Sequence, residues 1–199
     1  FLSGRVEEDF GGGFDVFDGS DVPRADVTMS AAEDGLIAIE VVPQPFEPAE
    51  GNDVTLVRNL EKLQLAGGAY IFDLEGASRD EVYRLYDAAF ARTPDEAGLR
   101  FWADEVESGS VALEDLPNAF IASDEFGTLF GTDPSDVEFV TALYGNVLRR
   151  APDDEGLAFW TEAFGSGALG PDDMLAQFSE SDENIARNAE NLDIGVWVI

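Results

Sequence analysis

The sequence predicts an α+β protein, with a small β-rich domain over residues 1–76 followed by an all-α domain over residues 77–190. Three observations predict it. Up to about Leu74 the chain alternates short apolar segments with Gly- and Pro-bearing breaks. At Ser78 the hydrophobic period changes to the 3.6 of a helix. The helical text then repeats once without a gap, giving homologous units 78–130 and 135–188 and leaving a tail over residues 191–199.

The expected strands are Phe14–Phe17, Asp26–Met29, Leu36–Glu40, Val54–Val57, Leu63–Leu65 and Ala69–Phe72. Glu33-Asp-Gly35, Gly51-Asn-Asp53 and Gly67-Gly68 supply the turn chemistry between them. Val42-Pro-Gln-Pro-Phe-Glu-Pro48 is expected as a loop or edge crossing, because proline supplies no donor to a ladder. The pattern fits a small β domain such as a small sandwich.

Ser78-Arg-Asp-Glu81 reads as a capping box opening an amphipathic run with Val82, Leu85, Tyr86, Ala89 and Phe90 on one side. Similar signatures stand at Thr93-Pro-Asp-Glu96, with Pro94 at the first helical position, and at Ser135-Asp-Val-Glu138.

Leu85 and Leu143 stand 58 positions apart, and that offset aligns everything up to Glu125 and Glu183. Arg92-Thr-Pro-Asp-Glu-Ala-Gly-Leu-Arg-Phe-Trp102 matches Arg150-Ala-Pro-Asp-Asp-Glu-Gly-Leu-Ala-Phe-Trp160, and Ser123-Asp-Glu125 matches Ser181-Asp-Glu183. Each motif residue has a mechanical reading. Pro94-Asp95 and Pro152-Asp153 begin helices, Gly98 and Gly156 permit close helix contact, and Arg92 and Arg150 suit the negative end of the preceding helix and can reach the following aspartate. Leu, Phe and Trp fill a core. The competing reading makes Trp102 and Trp160 stacking platforms for a sugar.

Net charge is -31, from 42 acidic and 11 basic residues, so the surface repels nucleic acid and anionic membranes. A hydrophobic fraction of 45% with 15 Phe and 3 Trp nevertheless demands a folded chain. The acidity fits either high salt or an extracellular protein that meets divalent cations; the second is the expectation here. No apolar run approaches the ~18 residues that span a bilayer. No basic segment followed by an apolar run opens the chain at Phe1, so no classical leader is expected.

His and Cys are absent, which excludes a Ser-His-Asp or Cys-His constellation and zinc sites of the usual nitrogen or sulfur kind. Gly11-Gly-Gly13 lacks the lysine and helix of a phosphate loop. Paired carboxylates such as Asp153-Asp154 and Asp172-Asp173 sit at expected helix starts, where capping explains them. No enzyme is expected, with a carboxylate-based envelope hydrolase the least favoured alternative.

The motif Arg-x-Pro-Asp-x-x-Gly-Leu-x-Phe-Trp, followed by Ser-Gly and Phe-x-x-Ser-x-Glu, resembles a helical repeat catalogued as a domain of unknown function. The resemblance covers about Val82 to Asn184. That repeat is common in secreted and surface-layer bacterial proteins, often beside haemolysin-type (RTX) calcium-binding repeats. Val57–Gly68 resembles the segment that closes a calcium-binding β-roll, which implies a degenerate β-roll cap as the alternative to a small sandwich. Gly11-Gly-Gly-Phe-Asp-Val-Phe17 is similar to a worn glycine-rich nonapeptide, in which Asp15 and Asp18 are the candidate calcium ligands. The pattern departs from the family's in lacking one glycine and a second consecutive turn. Leu192–Ile199 is similar to the uncleaved terminal signals that pass through type I secretion channels; a plain terminal strand is the alternative.

These resemblances imply a non-enzymatic module of an exported acidic protein at the surface of a Gram-negative bacterium or outside it. Its expected partners are the type I secretion machinery or a cell-surface polymer, with calcium as the one candidate cofactor. A carbohydrate-binding module using Trp102 and Trp160 is the alternative.

Overall fold

The computed structural model describes residues 6–9, 15–32, 36–41, 53–72, 77–131, 134–192 and 194–199. The loop 42–48, the turn 33–35 and the glycines 11–13 lie outside the described residues, as does the Ser78 side chain of the first expected capping box. The structure is α+β: β-sheets in the N-terminal part are followed by eight α-helices among the described residues. The chain divides into one unit of residues 1–75 and 191–199 and another of residues 76–190.

Among its described residues the first unit forms two four-stranded sheets. In one, β1 (Val6–Asp9) runs parallel to β5 (Asp53–Arg58), which pairs with β4 (Ile37–Val41), itself paired with β3 (Val27–Ala31). In the other, β2 (Val16–Pro23) runs parallel to β6 (Lys62–Ala66), followed by β7 (Gly68–Ile71) and β8 (Val196–Val198). Gly67, at φ 85, makes the tight β6–β7 connection in a backbone conformation that disfavours a side chain. Alternation aims one face of each strand inward: Ile39 and Val57 meet Leu63, Leu65, Tyr70 and Trp197 in one core.

Residues 191–199, read from sequence as a tail, fold with this unit. β8 is an edge strand with all three residues buried, and Trp197 pairs with Tyr70. Their rings meet edge to face at 5.0 Å. Arg24 caps the pair, its guanidinium 4.5 Å from the Trp197 ring, its Nε donating to Tyr70 Oη at 2.9 Å and its Nη2 to Asn191 Oδ1 at 2.6 Å. The proline-free apolar end of the chain thus finds a sheet edge to cover.

The helical unit runs α1 (Ala77–Phe90), α2 (Glu96–Glu107), α3 (Leu116–Ile121), α4 (Asp124–Phe130), α5 (Asp136–Val147), α6 (Asp154–Gly165), α7 (Pro171–Ser179) and α8 (Asp182–Leu192). A 3-10 turn, Leu113–Asp115, precedes α3. Ser135 and Glu138 form the reciprocal capping box at α5. At Thr93–Glu96 the register differs from the expectation. Asp95 is the cap and Glu96 the first helical residue, because the Asp95 carboxylate reaches the Gly98 N–H at 2.9 Å and so satisfies a free donor of the first turn. Pro94 therefore lies before the helix rather than at its first position.

Candidate functional site

Both occurrences of the motif make the same contacts. Asp95 caps α2 through Gly98 N, and Asp153 caps α6 through Gly156 N at 2.7 Å. A Cβ at Gly98 would collide with the Tyr86 hydroxyl, and one at Gly156 with that of Tyr144. Glycine is required because a tyrosine from the preceding long helix presses its oxygen onto the backbone there. Burial holds the Tyr86 phenol above its ordinary pKa, and the nearby Asp95 charge adds to this.

Arg92 donates from Nε and Nη2 to the two oxygens of Glu125, at 2.7 and 3.0 Å, and lies 5.3 Å from the Tyr86 ring centroid. Arg150 does the same to Glu183, at 2.8 and 2.8 Å, and lies 5.0 Å from the Tyr144 ring. Asp95, the partner expected for Arg92 from sequence, stands farther off at 3.9 Å. The bond to Glu183 raises the Arg150 pKa and lowers that of Glu183. These pairs are not among the contacts expected from sequence, although the arginine-to-glutamate separation of 33 residues is the same in both occurrences. Ser123 and Ser181, two residues before each glutamate, cap α4 and α8 and so aim the carboxylate. These groups are engaged with one another.

Trp102 and Trp160 are half-buried. Trp102 lies 5.3 Å from Phe120, and Trp160 lies 4.9 Å from Phe178. The phenylalanines before them, read from sequence as core, point outward instead: Phe101 is 53% exposed and Phe159 62%. The reason is angular. Leu99, Trp102 and Ala103 share one face of α2, whereas residue 101 lies about 200° around the helix from Leu99. Each exposed ring is braced edge-on by its tryptophan, at 4.9 and 5.1 Å.

Asp18 is exposed, and its carboxylate accepts from Ser20 N at 3.0 Å, which lowers its pKa. The Asp15 backbone N–H donates to Glu61 Oε2 at 2.8 Å, while Asp15 Oδ2 is buried without a hydrogen-bond partner. Among the described residues, no group of three or more Asp and Glu side chains gathers in a way that could hold a metal ion. None of the described helices is long and apolar enough to cross a membrane.

A family model described as "Domain of unknown function (DUF4214)" matches residues 117–188. The match spans most of α3 through α8 and includes the Arg150–Trp160 occurrence of the motif. No curated protein matches the chain.

Proposed function

We propose that this chain is a non-enzymatic interaction module of an exported acidic protein, acting in assembly or adhesion at the surface of a Gram-negative bacterium. One observation carries this reading. The charged and glycine residues of the motif are engaged inside the helical unit, while Phe101 and Phe159, at the same place in each occurrence, stand open to solvent. An exposed ring held edge-on by a second aromatic is a rigid, low-entropy contact surface. The two-unit repeat and its likeness to modules of secreted, RTX-associated proteins supply the context.

The test is binding of fluorescently labelled chain to intact Gram-negative cells. Wild type is expected to bind saturably, and Phe101→Ala/Phe159→Ala to lose at least tenfold in affinity while melting at the same temperature. Unchanged binding by the double variant would refute the reading. Carbohydrate recognition, with Trp102 and Trp160 behind the exposed rings, is the second reading. It requires that soluble surface polysaccharide compete for the cells, and a lack of competition removes it.

Calcium stabilisation through Asp15 and Asp18 belongs to the same proposal. A ligand selective for the folded state adds RT ln(1 + [L]/Kd), ~2.7 kcal/mol at a hundredfold excess over Kd. A melt unaltered by millimolar calcium rejects it. Export through a type I channel is proposed for the terminal segment, and deleting residues 193–199 should stop appearance in the medium. Because that deletion also removes β8, cytosolic solubility must be scored alongside; a soluble, retained chain supports the signal, and continued secretion refutes it.

A further inference from the structure

The helical unit holds a cleft of about 280 Å³ formed by α1, the 3-10 turn with α3, and α7. Leu85, Leu113, Pro117 and Ala176 give it an aliphatic lining. Three carboxylates, Glu81, Glu114 and Glu180, also border it. The arginine beside them is already engaged: Arg84 donates from Nε to both oxygens of Glu180, at 3.0 and 3.1 Å, and from Nη2 to Oε2 at 2.5 Å. Glu81 Oε2, by contrast, is buried without a hydrogen-bond partner. Burial, reinforced by the Glu180 charge and opposed by Arg84, holds the Glu81 pKa above the ordinary carboxylate value.

Helix packing does not demand a carboxylate at this place. At the 58-residue offset the corresponding residue of α5 is Phe139, buried against the rings of Phe130 and Phe164 at 5.6 and 5.0 Å. A carboxylate oxygen buried without a donor costs free energy that a phenyl ring would not. The cleft therefore combines an apolar lining with an excess of negative charge, and one of its acceptors lacks a donor. Its volume lies near the lower bound of small-molecule sites, ~300 Å³, which suits a compact ligand rather than a peptide segment.

We propose that this cleft binds a small aliphatic amine, with its ammonium donating to Glu81 Oε2 and its methylene chain lying against Leu85, Leu113 and Pro117. The ammonium supplies the missing donor and offsets the excess charge of Glu81 and Glu114, which Arg84 leaves unbalanced. Hydrocarbon carried with the charge distinguishes this ligand from a hydrated metal ion, which an apolar lining does not favour. Neither Phe101 nor Phe159 lines this cleft, and the inference stands independently of the surface-module reading.

The test is calorimetric titration of the full chain with 1-hexylamine, 1-hexanol and ammonium chloride at about 0.15 M salt, where exposed charges are screened beyond ~8 Å. Saturable one-site binding is expected for hexylamine, with the alcohol and ammonium at least tenfold weaker. Glu81→Gln should weaken hexylamine roughly ten- to hundredfold, the range for one charge-assisted hydrogen bond. Glu81→Phe, which copies the counterpart in α5, should abolish binding by filling the cleft, and Glu107→Gln on α2 should leave it unchanged. The proposal is overturned if wild type fails to bind hexylamine saturably. It is overturned equally if Glu81→Gln and Glu107→Gln behave alike, since that marks adsorption to a polyanion. A lysine-bearing peptide that binds through Glu81 where hexylamine does not would also overturn it, in favour of a protein partner.

Discussion

The hydroxyl of Tyr86 occupies the space in which a side chain at residue 98 would begin, and Tyr144 stands in the same relation to Gly156. Even a methyl group must therefore displace a buried tyrosine or the start of the following helix. Gly98→Ala and Gly156→Ala are each expected to destabilise the helical unit by ~1–3 kcal/mol, the usual penalty for overpacking. Alanine ordinarily favours a helix over glycine, so the sign alone is informative. Urea unfolding followed by far-UV circular dichroism measures it, and a stabilised variant would contradict the tyrosine contact.

Ala91 and Arg149 both adopt left-handed backbone, at φ 53 and 54, just beyond α1 and α5. Glycine relieves that strain, so Ala91→Gly is expected to stabilise by roughly 1 kcal/mol. Arg149→Gly should do the opposite. Arg149 Nη2 donates to the buried Asp87 at 2.7 Å, and removing it leaves Asp87 with Asn188, at 3.4 Å, as its remaining side-chain donor. Loss of a charged partner from a buried group costs ~1–3 kcal/mol and outweighs the backbone gain. Denaturant midpoints of the two variants should move in opposite directions.

Two glutamates titrate with opposite sense. Hydrogen bonding from Arg150 lowers the Glu183 pKa below the ordinary 4.5. Its contribution is therefore present above 4.5 and lost as pH falls through the lowered value. Glu81 is raised above 4.5, so its contribution is present below 4.5 and lost as pH rises through the raised value. At pH 7 Glu183→Gln should lower the melting temperature and Glu81→Gln should raise it. The Glu81→Gln advantage should narrow as the pH is lowered toward 4.5. A pH-independent difference would exclude the ionisation argument for that residue.

Trp197 is buried between Tyr70 and Arg24. Trp197→Ala is expected to destabilise the β unit by ~3–5 kcal/mol, the range for removing a buried large aromatic. Ile199→Ala, at a side chain 59% exposed, should change little. Near-UV circular dichroism during guanidinium unfolding separates the two, and equal effects would argue against β8 as a structural strand.

Much of this architecture was legible in the residues themselves. Alternation placed six strand segments that overlap β2 to β7, and the change of period near Ser78 located α1, because both signals are local consequences of which face of an element is buried. The recurrence of Pro-Asp-x-x-Gly located the starts of α2 and α6 for the same reason, since a cap is made within four residues. Tertiary structure decided what depends on neighbours distant in sequence. It assigned Arg92 to Glu125 rather than Asp95 and folded residues 196–198 onto β7. Packing also decided the surroundings of the buried Glu81 Oε2, because the cleft beside it is completed by the 3-10 turn, α3 and α7, which lie far from α1 in sequence.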